Sequence, residues 1–130
     1  MKKNIYGIIL LIGSLSFSIN AFSGHHSEGK ESYQEAQQVV LDAFGWDLKK
    51  AEITIEKINE NNHVLFGLGG NILVNSGKDG VLIVDDQFPQ LKNKIMRAIR
   101  KVGGKKIDYI VNSHWHFDHA EGNLAFGKTG

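Results

Sequence analysis

No cysteine occurs anywhere in the 130 residues. That excludes a disulfide framework, a cysteine metal ligand within this stretch, and a lipid anchor on an amino-terminal cysteine. An exported form must therefore stand on its hydrophobic core and on any metal it binds. Charge of one sign is scarce as well: 15 Lys and Arg face 14 Asp and Glu, a net charge of +1. Such a balance gives no reason to expect nucleic acid or an anionic membrane as partner. Proline occurs once, at Pro89, and the length allows one domain at most.

The longest apolar stretch, Ile5 to Ile19, follows the basic head Met1-Lys2-Lys3-Asn4 and precedes the small residues Ala21 and Ser23. This is the three-part form of a secretory signal peptide, with an apolar segment too short for a comfortable membrane span. Residues 1–23 are expected to be removed and the product to be periplasmic or secreted, free of the membrane after cleavage; a retained anchor is the competing expectation. Cleavage takes away Lys2 and Lys3 and no acid, leaving 13 basic against 14 acidic residues. Residues 24–48 are expected to form a leader and a short helix, and 49–130 the main domain. A new terminus Gly24-His25-His26 would place a histidine third, an arrangement that can wrap Cu(II) or Ni(II) in a square plane. A leader without a role is the simpler expectation.

From Glu31 to Phe44, Tyr33, Ala36, Val40 and Ala43 recur at helical spacing, and the spacing predicts an amphipathic helix ending near Gly45. Glu52–Glu56 and His63–Phe66 read as strands joined through the polar turn Asn59 to Asn62, with His63 at the surface. Gly67, Gly69 and Gly70 read as a bend, since no Gly-Lys-Ser/Thr follows. Asn71–Asn75 and Val81–Asp85 flank Gly77-Lys78-Asp79-Gly80, a strong hairpin signal. Val81-Leu82-Ile83-Val84 is apolar throughout, as in a strand covered on both faces. Pro89 opens the clearest helix, with Leu91, Ile95, Ile99 and Val102 on one face, Met96 beside them, and Gly103-Gly104 as the stop. Its other surface carries Lys92, Lys94, Arg97, Arg100 and Lys101, read as a solvated face. Ile107–Val111 is expected to be a buried strand.

Directly after that strand comes His114-Trp115-His116-Phe117-Asp118-His119, three of the six histidines and a carboxylate in one short loop. Imidazole and carboxylate are ligands that zinc favours. A spacing of two lets the His114 and His116 rings point the same way from extended backbone, while Asp118 and His119 turn toward a second point nearby. Four donors in six residues are hard to gather on one tetrahedral ion, so two ions flanking an attacking oxygen is the roomier layout. Interleaving with Trp115 and Phe117 argues against a tag or a metal-sequestering tract. Trp115 and Phe117 are expected to wedge the loop against the sheet. Asp85 is a candidate partner for a ligand histidine, and a hairpin-end or capping role for Asp85 or Asp86 is the alternative.

His-x-His-x-Asp-His, with Asn112-Ser113 before it and Ala120-Glu121-Gly122-Asn123 after it, resembles the signature of the metallo-β-lactamase superfamily. The upstream Gly69-Gly70-Asn71 and Val81 to Asp86 segments are similar to that family as well, so the resemblance spans roughly residues 50 to 130. It implies an α/β (α+β) fold, the amino-terminal half of an αββα sandwich, with a further histidine, a bridging carboxylate and a last histidine expected beyond Gly130. It implies that His114 and His116 hold a first zinc, that Asp118 and His119 hold a second, and that Asp118 acts catalytically by orienting or deprotonating the bridging water. Iron or manganese could replace zinc. The implied reaction is attack of metal-held hydroxide on the carbonyl of a small-molecule substrate: a β-lactam, or another ester, lactone or thioester. The chain alone is expected to be inactive, because catalytic zinc normally has three protein ligands of its own. A non-catalytic periplasmic metal binder using His25, His26 and the loop is the alternative from a different class. Nothing in the sequence sets the oligomeric state.

Overall fold

The computed structural model describes residues 28–127, so the expected signal peptide and the histidines His25 and His26 lie outside the described residues. Helix α1 (Glu28–Phe44) leads into an antiparallel meander of β1 (Thr54–Lys57), β2 (Asn62–Phe66), β3 (Asn71–Gly77) and β4 (Gly80–Val84). A tight turn, Pro89–Leu91, then opens α2 (Lys92–Lys101), which crosses over to β5 (Tyr109–Val111). Two single-turn helices follow, α3 (Phe117–Ala120) and α4 (Asn123–Phe126). The strands lie in the order β1-β2-β3-β4-β5, and only the β4–β5 pairing is parallel. A parallel pair requires a crossover connection, and α2 provides it. Among the described residues no helix is long and apolar enough to cross a membrane.

Strand alternation places Leu65, Ile72, Val74, Val81 and Ile83 on one face, where they are buried against Phe88, Leu91, Ile95, Ile99 and Phe126. The expected inner face of α2 is thus observed at Leu91, Ile95 and Ile99, with Val102 and Met96 partly buried at its margin. Two of its cations are tied down. Lys92 Nζ donates to Ala125 O at 2.6 Å, and Lys94 Nζ donates to Lys49 O and Ala51 O at 2.9 and 2.6 Å. Lys94 thereby closes the turn between α1 and β1.

The opposite sheet face departs from expectation. Among the described residues nothing covers it, so Val64, Leu73, Leu82 and Val84 are only partly buried. Tyr109 and Val111 are 65% and 51% exposed. The predicted burial of β4 on both sides and of β5 is therefore corrected, although Ile107, just before β5, is buried. His63 is corrected in the other direction: it pairs with Val74 on the core face and is 9% exposed, with its Nδ1 lacking a partner.

Helix α1 ends as expected. Gly45 takes a left-handed conformation (φ 66°), and Trp46 N–H closes back onto Leu41 O at 2.8 Å. Its inner face does not follow the apolar spacing. Gln37 and Leu41 are buried, whereas Ala36 and Ala43 are exposed and Tyr33 largely so. Ile99→Ala in the full chain is expected to lower the unfolding free energy by about 2–5 kcal/mol through a core cavity. Val39→Ala, at a 68% exposed site, should change it by less than about 0.5 kcal/mol. Urea denaturation followed by tryptophan fluorescence checks both.

Candidate metal centre at the carboxyl end of the sheet

The histidine loop follows β5, the last strand in the sheet order, and three residues after its neighbour β4 form its seat. Asp85 and Gln87 are both left-handed (φ 68° and 54°), a conformation that costs side-chain-bearing residues about 1–3 kcal/mol each. That twist turns the Asp85 carboxylate toward the loop. Its Oδ1 accepts the Ser113 N–H at 2.7 Å, and its Oδ2 accepts the Ser113 hydroxyl at 2.8 Å and lies 2.7 Å from His119 Nδ1. Burial pushes the Asp85 carboxyl up, but the hydrogen bonds from His119 and Ser113 outweigh it and hold the group below the usual carboxylate range.

An ionised carboxylate can only accept, so a neutral His119 carries its proton on Nδ1 and turns an unprotonated Nε2 toward Asp118. The same logic extends one step. Ser113 gives its single hydroxyl proton to Asp85, so toward His114 Nδ1, 3.0 Å away, it must accept. A neutral His114 in that arrangement presents an unprotonated Nε2. One carboxylate and one hydroxyl set the tautomers of two of the four candidate ligands.

The loop is folded so that its rings face one another. His114 lies 4.0 Å from His119 and 4.7 Å from His116, centroid to centroid. His119 N–H and Ala120 N–H both bond to His116 O at 3.0 Å, winding α3 immediately after His116. This turn brings His119 Nε2 to 3.4 Å from Asp118 Oδ2. Two ligands about 2.1 Å from one tetrahedral ion would be separated by roughly that distance. The donor chemistry and this pair fit a zinc-type ion. As placed, no three donors among the described residues converge on one point.

Residues that the motif alone did not reveal complete the seat. A Cβ on Gly70 would lie 2.6 Å from His119 Cε1 and 2.8 Å from its Nε2, and one on Gly69 would lie 2.5 Å from Asp118 Cβ. The β2–β3 bend is thus held to glycine by Asp118 and His119 lying on it, with Gly69 also left-handed at φ 71°. Gln87 donates to Gly70 O. Asp86 N–H bonds to His119 O at 2.9 Å, and Gly122 N–H bonds to Asp86 Oδ1 at 3.0 Å and Gln87 O at 2.8 Å. Asn112 donates to His119 O at 3.1 Å. The sequence signal for these contacts is only their adjacency to the motif. Phe117 packs against the core as expected, but Trp115 is 81% exposed and does not wedge the loop; its ring lies 4.6 Å from His116.

Asp86 is fully buried, and burial raises its carboxyl to about 6, with Asp85 adding to the shift and the Gly122 N–H opposing it. Its folded value lies above the ordinary value near 4, so the fold binds the proton more tightly than the unfolded chain does. The stabilisation is therefore full below about pH 4 and is lost as pH rises through about 6. In the chelator-treated chain, Asp86→Asn keeps the Gly122 bond and should flatten that dependence. It should raise stability at pH 7.5 by roughly 1–3 kcal/mol and leave it nearly unchanged at pH 4. Denaturation midpoints at the two pH values check this.

Comparison with known proteins agrees with the geometry. Residues 65–130, half of the chain, match the family model described as the metallo-beta-lactamase superfamily. Among curated proteins, the chain is 48% identical over 40 residues to an N-acyl homoserine lactonase of Bacillus cereus, covering 29% of this chain and 16% of that protein. It is 28% identical over 79 residues to a coenzyme F420H(2) oxidase of Methanothermobacter marburgensis, covering 58% of this chain and 17% of that one. Among solved structures, it superposes on BJP-1, a subclass B3 metallo-beta-lactamase of Bradyrhizobium japonicum, with a TM-score of 0.53 and 28% identity over 60% of this chain and 30% of that chain. Subclass B3 enzyme SMB-1 gives 0.56 and 27%, over 64% and 33%. The matched segment thus spans about a sixth of the curated relatives and a third of the solved ones. Because that family model matches half of the chain, the chain belongs to the metallo-beta-lactamase superfamily.

Proposed function

We propose that this chain contributes metal ligands to an exported, zinc-dependent hydrolase that opens a cyclic carbonyl compound. The observation that carries the reading is the His119–Asp118 donor pair, 3.4 Å apart, with His119 fixed by Asp85 so that Nε2 points away from its hydrogen-bond partner. His114 and His116 would hold one ion and Asp118 and His119 a second. A zinc ion bound there would polarise a carbonyl and bring the pKa of water from about 15.7 to near 7. Asp118, acceptor-only when ionised, would orient or take up a proton from a water beside His119. The exposed Trp115 ring offers an apolar wall to a substrate approaching His116. The substrate class draws on two similar proteins, one a lactonase and the other a β-lactamase by name. The basic head and apolar segment before Ser23 support export to the periplasm.

A second reading keeps the fold and replaces hydrolysis with redox chemistry at iron; the similarity to an oxidase favours it. Metal analysis after growth in zinc-limited and iron-limited media separates the two, with zinc retained under the first reading. Equilibrium dialysis of the full chain should show zinc uptake that falls at least tenfold in affinity in His119→Ala. The protein isolated from its host should open a chromogenic cephalosporin or an acyl homoserine lactone and stop on chelation. Absence of zinc uptake, or turnover indifferent to chelator, contradicts the proposal.

A further inference from the structure

Helix α1 lies outside the residues matched to the family, yet it contacts the histidine loop directly. Tyr33 donates its hydroxyl to Glu121 Oε1, and Gln37 Nε2 donates to Glu121 Oε2 at 2.6 Å. Gln37 Oε1 in turn accepts from Gln90 Nε2 at 2.9 Å, which links the pair to the turn that opens α2. The Tyr33 ring sits 6.3 Å from that of Phe117. Phe117 immediately precedes Asp118, and Glu121 follows His119 by two residues, so α1 grips both flanks of one donor pair.

We propose that α1 is a strap that holds the histidine loop in its ligand-presenting shape, with Glu121 as the positioning residue through which it acts. The proposal rests on the reading that the loop binds a divalent metal. Its physical basis is the way α1 is attached. Of the helix residues whose side chains are described, only Gln37 and Leu41 are buried, and Gln37 is committed on both ends of its amide. The helix therefore docks largely through polar groups that converge on the loop rather than through a broad apolar face. Both oxygens of Glu121 are bound from a helix more than 80 residues away in sequence. Such charge-assisted bonds fix direction as well as distance. Releasing them would free α3 to move about its remaining backbone bonds, at Asp86 and Gln87, and would widen the range of positions open to Asp118 and His119. A ligand set that must be reordered at binding gives weaker affinity and a distorted coordination geometry.

The test uses the full chain and cobalt(II), whose visible absorption bands report ligand geometry and whose displacement by zinc gives relative affinities. Tyr33→Phe removes one hydroxyl and keeps the ring beside Phe117; Tyr33→Phe with Gln37→Leu removes both donors. The single variant should weaken cobalt and zinc binding roughly threefold or more, and the double variant about tenfold or more, with altered cobalt bands in both. Gln38→Ala, on the same helix and bonded through its side chain to Asp42 among the described residues, should change neither. Cobalt uptake by the wild type with unchanged affinity and spectrum in Tyr33→Phe and the double variant overturns the strap alone. Failure of the wild-type chain to take up cobalt or zinc overturns the metal reading and the strap with it.

Discussion

The bond between Asp85 and His119 is the contact on which the site depends. It requires a carboxylate that stays ionised while largely buried, and the Ser113 N–H and hydroxyl make that affordable by solvating it in place of water. It also requires the backbone to turn sharply at the end of β4, which Asp85 and Gln87 achieve by left-handed conformations. Such strain persists only where the surroundings over-determine it. Here they do: the same three residues receive hydrogen bonds from the loop at Ser113, His119 and Gly122, or give one to it. The seat and the loop are a single hydrogen-bonded unit.

The sheet and α2 form a dry core on one side, and the histidine loop hangs from the strand ends, where irregular backbone can be exposed to solvent. Asp118 and His119 are half-buried against Gly69 and Gly70, while His114 and His116 are exposed. The better-held donors are those that Asp85, the glycine bend and α1 all support. The uncovered sheet face, with Tyr109 and Val111 outward, is apolar and lies on the side away from α2.

Much of this was legible from local patterns. The histidine loop as a segment, the α2 stripe, the Gly77–Gly80 hairpin and the stop at Gly45 are each set by residues within a few positions of one another, where periodicity and turn chemistry decide the outcome. Asp85 was recognisable as one candidate partner for a loop histidine from its place at the end of β4, with a hairpin-end or capping role as the alternative, although its twisted backbone was not. What escaped depends on contacts distant in sequence. Apolar spacing in α1 favoured Ala36 and Ala43, but Glu121 drew Gln37 inward. His63 looked like a surface residue until pairing with β3 placed it on the core face. Alternation in β4 and β5 gave two apolar faces, and no local signal says which of them is covered.

Imidazole nitrogen NMR of the full chain, recorded during a zinc titration, tests the central claim most directly. The account expects His119 to hold its proton on Nδ1 before and after zinc, with the Nε2 resonance alone moving to the metal-bound range. A proton on Nε2 of His119, or zinc-induced movement at Nδ1, would contradict it.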